Sequence, residues 1–475
     1  MKKTISLSAL TLLSLSISGC FDSDDDDDFT PITTPPVQTT GEVRVIHASP
    51  DAPVVDIFSG STAIAALQDL DYQQASGFIE LVSNSYTINV RAETPGGSAT
   101  VLTVDATIEE DKEYNVVAIG DTANLEAFLI VNDETDVGDG NVRAQVLHAA
   151  PDAPTVDVYV TAPDDDLMSA QPLATLAFKD NTGQVEVPAG DYRIRITPAG
   201  DASTVVFDSG TVPLPAGADL LISATENVGA GSSPVSLVVA DGSASSVILD
   251  AATPAEVRAI HAVADAPAVD VLAVVPQGDD IVLFDAAPFK GVTQYIEVAG
   301  GDYVIDVVAD ADNSVVAIND VALSVMPGVR YTAIANGMLT SDPATINLDV
   351  AVDDVRPLAT AAQVRIFHAS PSTPAVDIYV TADGEIDEAS PAFTEVPYSA
   401  EGLVSTGYVQ LAPGDYVVSV TPAGTKTVAL ETDVLSLNGG DVYTALAVDG
   451  DMEGDGPQLI LSADALGPVP EEEME

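Results

Sequence analysis

Apolar and polar residues alternate in short runs along most of the chain, and this alternation predicts β-strands. In the run Y-R-I-R-I-T, which begins at Tyr192, the tyrosine and isoleucines fall on one face and the arginines and threonine on the other. Pro-Gly, Gly-Asp and Asp-Gly turns separate such runs, and no segment keeps a helical period. The pattern therefore predicts an all-β chain built from antiparallel β-sandwiches.

One stretch of this pattern occurs four times. It reads V-R-V-I-H-A-S-P-D-A-P-V-V-D-I-F from Val43 to Phe58, and the other copies end at Tyr159, Leu272 and Tyr379. Each copy contains one of the four histidines of the chain, and these are His47, His148, His261 and His368. The histidines are 101, 113 and 107 residues apart, which is the size of one domain. We therefore predict a row of four tandem Ig-like antiparallel β-sandwich domains over residues 42–135, 141–250, 255–355 and 362–467.

Two aromatic landmarks follow the histidine in each repeat. The first is Tyr72, Phe178, Phe289 or Tyr398, and the second, after a turn, is Tyr86, Tyr192, Tyr303 or Tyr416. The sequence L-A-P-G-D-Y that ends at Tyr416 predicts a tyrosine corner, in which the phenol hydroxyl bonds back to the turn backbone. The chain has no tryptophan and one cysteine, so these are not antibody-type domains with a buried disulfide.

Residues 1–20 have the features of a bacterial lipoprotein signal peptide. Lys2 and Lys3 precede an apolar run that ends in I-S-G-C at Cys20. This ending matches a lipobox, which implies cleavage before Cys20 and its acylation, and several acyl chains on one residue anchor a protein stably. The alternative is an uncleaved anchor helix, but the run is too short to span a bilayer. Phe21, in place of Asp, permits sorting to the outer membrane, so we expect a cell-envelope protein on its periplasmic or outer face.

Residues 21–41 differ in composition from the repeats that follow. Asp24 to Asp28 are five consecutive carboxylates, and a Thr/Pro-rich segment comes after them. Like charges repel and prolines prevent helix formation, so we predict an extended tether, with calcium binding by the Asp run as the alternative. Residues 468–475 are predicted to be an acidic tail.

Acidic residues dominate the charge of the chain. With 74 Asp and Glu against 15 Lys and Arg, the formal net charge is −59, which argues against a nucleic-acid partner. The hydrophobic content of 46% nevertheless predicts a folded core, so the charges must lie at the surface. Cys20 is the single cysteine, which excludes disulfides and cysteine metal sites from the folded part.

The opening H-A-S-P-D-A-P-x-V-D of the repeat resembles that of bacterial domain-of-unknown-function family 4397, which occurs in exported and surface-anchored proteins. All four repeats carry this opening, so the resemblance covers nearly the whole mature chain. The family implies no established activity.

The repeated histidine and the later aspartate of each copy are the candidate site residues: His47 with Asp56, His148 with Asp157, His261 with Asp270, and His368 with Asp377. One hypothesis is a metal or general-base pair, although one histidine per repeat is few for zinc or copper. The other is that the imidazole holds the turn by bonding a carbonyl or the later aspartate. We favour the structural hypothesis, because a contact that builds the fold recurs whenever the fold does.

Calcium is the one cofactor that the acidic residues suggest. Asp449 to Gly454 begins like a calcium loop, but Ile460 stands where an EF-hand needs Glu. Asp133, Glu134, Asp136 and Asp139 in the first seam are weak candidates for a calcium site between domains. Such acidic seams are also typical of soluble linkers.

The sequence contains no H-E-x-x-H, G-x-S-x-G, Walker or dinucleotide-binding motif. We therefore expect a non-enzymatic, membrane-anchored lipoprotein that serves binding, adhesion or scaffolding toward a protein or polysaccharide partner. A calcium-stiffened envelope spacer is the first alternative and a hydrolase without a recognised motif is the second.

Overall fold

The computed structural model describes residues 38–277, 279–341, 344–451 and 455–467. The predicted signal peptide, Cys20, most of the tether and the acidic tail lie outside the described residues. Among the residues described, none forms a helix long and apolar enough to cross a membrane. The described strands all belong to one compact unit that begins at Thr39.

Module 1 contains eight strands in two sheets. They are β1 (Thr40–His47), β2 (Val55–Ser59), β3 (Thr62–Ala63), β4 (Ile79–Val82), β5 (Asn84–Thr94), β6 (Gly97–Ile108), β7 (Lys112–Ile119) and β8 (Glu126–Asp133). A 3-10 turn at Thr122–Asn124 precedes β8. The first sheet has the order β4-β1-β7-β8 and the second the order β3-β2-β5-β6.

Module 2 repeats this arrangement with one additional strand. It consists of β9 (Asn141–His148), β10 (Val156–Thr161), β11 (Ala174–Leu176), β12 (Val185–Pro188), β13 (Gly190–Pro198), β14 (Phe207–Leu214), β15 (Asp219–Glu226), β16 (Val235–Ala240) and β17 (Ser245–Ile248). A 3-10 turn at Leu167–Ser169 follows β10. Its sheets have the orders β12-β9-β15-β16-β17 and β11-β10-β13-β14.

Module 3 has the eight-strand plan of module 1. Its strands are β18 (Ala255–His261), β19 (Val269–Ala273), β20 (Ile281–Ala287), β21 (Ile296–Val298), β22 (Gly301–Ala309), β23 (Asp312–Val325), β24 (Arg330–Asn336) and β25 (Asn347–Asp353). The sheet orders are β21-β18-β24-β25 and β20-β19-β22-β23.

Module 4 has the same two sheets, with the last strand of the second sheet broken into two short pieces. Its strands are β26 (Ala362–Ala369), β27 (Val376–Thr381), β28 (Phe393–Val396), β29 (Ser405–Leu411), β30 (Gly414–Pro422), β31 (Leu430–Glu431), β32 (Leu435–Leu437), β33 (Val442–Val448) and β34 (Gln458–Ala465). The sheet orders are β29-β26-β33-β34 and β28-β27-β30-β31, with β32 also paired to β30.

The prediction of an all-β chain of tandem β-sandwiches is confirmed. The antiparallel prediction needs one correction, because each module also contains a parallel pair. The first strand of each module lies parallel to the strand that follows the second sheet: β1 with β7, β9 with β15, β18 with β24, and β26 with β33. Parallel pairing requires a long connection, and here most of the module provides it. Alternation along one strand does not encode the direction of its neighbours.

The first strand of each module is buried on both faces. In β1, Val45 packs in the core of module 1, whereas Ile46 packs against module 2. In β26, Ile366 packs in the core of module 4, whereas Phe367 packs against module 3. A strand covered on both sides has a nearly continuous apolar sequence, which explains why these repeats contain V-I-H and I-F-H without an intervening polar residue.

The modules pack against each other in two pairs. The contact between modules 1 and 2 is an apolar cluster of Ile46, Ala48, Val117, Ile119, Ile130, Leu147, Ala149, Leu221, Val238 and Ala240. Modules 3 and 4 bury the equivalent cluster Ile260, Ala262, Ile334, Phe367, Ala369, Leu446, Val448 and Ile460. Neighbouring modules are therefore in direct apolar contact. Pairing buries outer-face apolar residues that a lone sandwich would expose to water.

A tyrosine hydroxyl holds the start of the hairpin strand in every module. Tyr416 donates its hydroxyl to the carbonyl of Ala412 at 2.8 Å, which confirms the predicted tyrosine corner. Tyr86, Tyr192 and Tyr303 make the same bond to the carbonyl four residues before them. The motif is thus a feature of all four modules.

Candidate functional site

Each repeated histidine connects the end of its strand to the turn that follows. The Nε2 atom of His47 lies 3.0 Å from the carbonyl oxygen of Pro53, and the other three histidines make the equivalent contact to Pro154, Pro267 and Pro374 at 2.9–3.1 Å. A carbonyl can only accept, so Nε2 carries the proton and donates. The imidazole therefore spans the H-A-S-P-D-A-P turn from its first residue to its last proline.

The second ring nitrogen of three histidines also has a backbone partner. The Nδ1 atoms of His47, His261 and His368 accept from the amide two residues later at 3.2–3.3 Å. In His148, Nδ1 is buried without a partner among the described residues. A neutral imidazole with its proton on Nε2 satisfies both contacts, and it leaves no lone pair free for a metal in these three modules.

The first aromatic landmark packs edge-on against the histidine. Ring centroids of the four His–aromatic pairs are 6.2–6.3 Å apart, in T-shaped geometry, and the partners are Tyr72, Phe178, Phe289 and Tyr398. The sequence contained this signal as a fixed order of landmarks, but it did not show that the two side chains touch.

Burial lowers the pKa of His47, His261 and His368 below the ordinary value for histidine, against the opposing effect of the proline carbonyl. These imidazoles are therefore neutral near neutral pH. They are also enclosed, because the exposed fraction of each of the four histidines is 1–2%. A general base must reach substrate, and these rings have no open side.

The later aspartate of each motif holds a different part of the fold. The carboxylate of Asp157 accepts from the amide of Gly200 at 2.7 Å, and that of Asp377 accepts from Glu395 and Gly424 at 2.8 Å. Asp56 and Asp270 accept from the amides of Asp69 and Ala286. Each aspartate thus fixes the loops beside the second strand, and the histidine and aspartate of a motif bond to separate partners.

The arginines three residues before the histidine lie at the interface between paired modules. In modules 3 and 4, Arg258 pairs with Asp464 and Arg365 pairs with Asp353, each at 2.6 Å and each across the module boundary. All four side chains are 0–3% exposed. Asp353 and Asp464 lie in the last strands of modules 3 and 4, outside the repeated histidine motif. The motif alone therefore did not reveal their pairing with the arginines.

The four seam acids proposed as weak calcium ligands do not converge. Asp133 pairs with Lys112, and the main-chain carbonyl of Asp136 accepts from Arg143 at 3.0 Å. Within the described ranges, one group of three acids brings carboxylate oxygens within 4.8 Å of one another, and it is Asp270, Asp285 and Asp310 in module 3. None of Asp133, Glu134, Asp136 and Asp139 belongs to that group.

An acidic cleft with a volume of about 780 Å³ opens between modules 1 and 2. Glu134 and Asp136 line it, together with carboxylates that the sequence reading did not single out: Glu42, Glu113, Asp219 and Asp241. Burial, together with the nearby carboxylate of Asp219, raises the pKa of Glu113 to about 7. Residues from both modules form this site, so its composition follows from how the modules pair.

These features define a class of protein: a tandem β-sandwich chain whose repeated histidine motif serves as an internal brace. The chain belongs to the family described as Domain of unknown function (DUF4397), which matches residues 41–159, 255–379 and 362–475, more than half of the chain. The first two matched segments each run from one histidine motif through the next. The recognition made from the H-A-S-P-D-A-P opening is thereby confirmed.

Similarity to solved structures is distant. The Bacillus anthracis TIE protein is 12% identical, with 87% of this chain and 69% of that chain covered, at a TM-score of 0.16. A DUF3823 family protein from Bacteroides ovatus is 11% identical, with 37% of this chain and 97% of that chain covered, at a TM-score of 0.12. The chain has no significant match among curated proteins.

Proposed function

We propose that this chain is a non-enzymatic lipoprotein of the cell envelope, anchored through Cys20, whose paired modules bind or scaffold an envelope protein or polysaccharide. The observation that carries the proposal is the use of the histidine motif. In all four modules the imidazole bonds a proline carbonyl of its own turn, so the histidine that recurs in every module serves the fold.

The pairing of modules supports a scaffolding role. Two apolar interfaces and two buried Arg–Asp pairs hold neighbouring modules together, and these contacts fix where the remaining surface is presented. Binding residues work best on rigid elements, because their positions then require no ordering upon contact with a partner. The acidic, lysine-poor composition supports a partner other than nucleic acid.

The test is capture of envelope proteins and polysaccharides by the purified full-length protein, with and without calcium, combined with hydrolase assays on the same polymers. We expect saturable binding of one partner and no hydrolysis of the polymers. Hydrolysis of a polymer that His47→Gln abolishes while the protein remains folded contradicts the proposal. Unchanged membrane association of the Cys20→Ala variant also contradicts it.

The alternative function is a spacer stiffened by calcium at its seams. Its support is weaker, because the seam acids named above do not form a group with converging oxygens. Melting of the protein in the presence of a chelator separates the two functions, since a calcium-stiffened spacer loses thermal stability when the ion is removed.

A further inference from the structure

Module 1 places two carboxylates opposite each other on neighbouring strands. Glu42 of β1 lies opposite Glu113 of the parallel strand β7. At the same register position in module 3, Glu256 lies opposite Arg330, and the two form an ion pair at 2.6 Å. Module 1 therefore has a glutamate where module 3 has the cation that neutralises its glutamate.

Module 2 also has an acid and a base at this register position, but with the base on the first strand. There Arg143 of β9 lies opposite Asp219 of β15, and the two are paired at 2.9 Å. In modules 2 and 3, an arginine of the protein therefore neutralises the carboxylate at this position. Adjacent like charges repel, so the position in module 1 is unfavourable as it stands.

Glu113 is buried and faces the cleft without a partner. The residue is 7% exposed, it lines the acidic cleft, and among the described residues its carboxylate makes no hydrogen bond or ion pair. A buried charge normally has a partner, because losing water costs free energy that only a hydrogen bond or counter-ion restores. Glu113 is therefore a buried carboxyl group whose charged form lacks a cation partner.

The two arginines nearest the cleft are engaged elsewhere. Arg143 donates to the carbonyls of Thr135 and Asp136 and pairs with Glu186 and Asp219. Arg44 donates to the carbonyl of Ala240 at 3.0 Å and lies over the ring of Phe78 at 4.5 Å. Neither guanidinium bonds to Glu113, and the cleft keeps an excess of negative charge.

The geometry of the cleft suits an extended cation better than a bare metal ion. Calcium takes six to eight oxygens at about 2.3–2.6 Å, which requires carboxylates that converge on one point. In the part of the chain that the structure describes, the cleft acids contribute no group of three with oxygens within 4.8 Å. Its volume of about 780 Å³ leaves room for a chain with several separate charges.

We propose that this cleft binds a ligand with alkylammonium groups, either a linear polyamine or the lysine side chains of a basic peptide, with Glu113 and Glu42 as central acceptors. Ammonium groups donate to individual carboxylates in charge-assisted hydrogen bonds, so they need no convergent cage. The wall formed by Phe78 offers contact to the methylene segments between the charges. This site goes beyond the proposed function and does not depend on it.

The test is titration calorimetry of the full-length protein with spermidine, with trilysine and with calcium chloride, at low ionic strength and again in physiological salt. Glu113→Arg is the informative variant, since it recreates the Glu256–Arg330 pair of module 3 and fills the site from within. Glu113→Gln removes the charge alone. Glu93→Arg is the matched control, because Glu93 is exposed, lies in the same module and does not line the cleft.

We expect one site for spermidine or trilysine, with affinity lowered about tenfold or more by Glu113→Arg, lowered less by Glu113→Gln and kept by Glu93→Arg. The trilysine and spermidine arms identify which source of ammonium the cleft prefers. Equal affinities in the wild type and in Glu113→Arg overturn the proposal. So does tight binding of calcium, but not of either amine, that Glu113→Gln removes.

Discussion

Arg258 of module 3 and Asp464 of module 4 form an ion pair at 2.6 Å with both side chains almost fully buried. Arg365 and Asp353 form the reciprocal pair at the same distance. Thr332 and Thr444 donate to the two aspartates from their own modules. The interface is thus built twice from equivalent residues, which relates modules 3 and 4 by approximate two-fold symmetry.

Replacement of Asp464 by Ala leaves the guanidinium of Arg258 buried without its counter-charge. Breaking a buried pair in this way costs about 3–5 kcal/mol. We expect the urea midpoint of the full-length protein, followed by tyrosine fluorescence, to fall accordingly. The control is Asp133→Ala at the solvent-exposed pair with Lys112, where we expect no measurable change in the midpoint because water screens exposed charges. Equal effects of the two substitutions contradict the interface described above.

Glu113→Gln is expected to stabilise the protein at about pH 8. The folded-state pKa of Glu113 is raised to about 7, above its ordinary value, so the folded protein holds this proton more tightly than the unfolded chain does. Stability from this group is therefore present at low pH and is lost as the pH rises toward 7 and above. At this pH we expect Glu113→Gln to raise the free energy of unfolding by about 1–2 kcal/mol, a figure that already allows for screening by water in the cleft. The gain disappears on acidification below about pH 5.

The groups that face Glu113 set the direction of this effect. Burial and the carboxylates of Asp219 and Glu42 raise its pKa, whereas Arg44 and Arg143 lower it. Thermal melts of the wild type and Glu113→Gln across this pH range provide the measurement. A difference that grows on acidification contradicts the assigned environment of Glu113.

The histidines predict the opposite pH dependence. Burial lowers the folded-state pKa of His47, His261 and His368, so the unfolded chain binds protons that the folded chain does not. The contribution of these histidines to the stability of the fold is complete above about pH 6.5. It is lost as the pH falls from that value toward the folded-state pKa. Substituting His47 by Gln should therefore flatten the decrease in melting temperature between about pH 7 and pH 5. An unchanged slope contradicts this prediction.

His47→Leu and His148→Leu provide a matched comparison of the brace. The first substitution removes the partners of two backbone groups, the carbonyl of Pro53 and the amide of Ser49, and the second removes the partner of Pro154 alone. Each orphaned group costs about 1–3 kcal/mol. We expect a larger loss of stability for His47→Leu in chemical denaturation, and a larger loss for His148→Leu contradicts the bonding described.

Much of the architecture could be predicted from the sequence, because it depends on local patterns. Alternation and turn residues predicted the strands, and the spacing of the histidines predicted four modules. The tyrosine corner at Tyr416 was evident from one turn sequence. The strands and the tyrosine corner depend on residues within about ten positions of each other, where turn chemistry determines the outcome, and the four modules follow from repetition of one motif.

The pairing of modules could not be predicted in this way. Asp464 and Arg258 are more than 200 positions apart, and nothing in either local sequence marks the other as its partner. The acidic cleft has the same origin, since Glu113 and Asp219 belong to different modules. The adjacent apolar residues Ile366 and Phe367 lie on opposite faces of one strand, and the sequence does not show which surface covers the outer face.

Each repeated imidazole holds its own turn by donating a hydrogen bond to a proline carbonyl. Because the chain has four histidines, two-bond proton–nitrogen NMR correlation of histidine-labelled protein can resolve every ring. At about pH 7.5, with zinc and calcium each added in turn, we expect the Nε2-protonated neutral tautomer and no metal-dependent shift for His47, His261 and His368. An Nδ1-protonated or charged ring in these modules, or a shift upon metal addition, would contradict it.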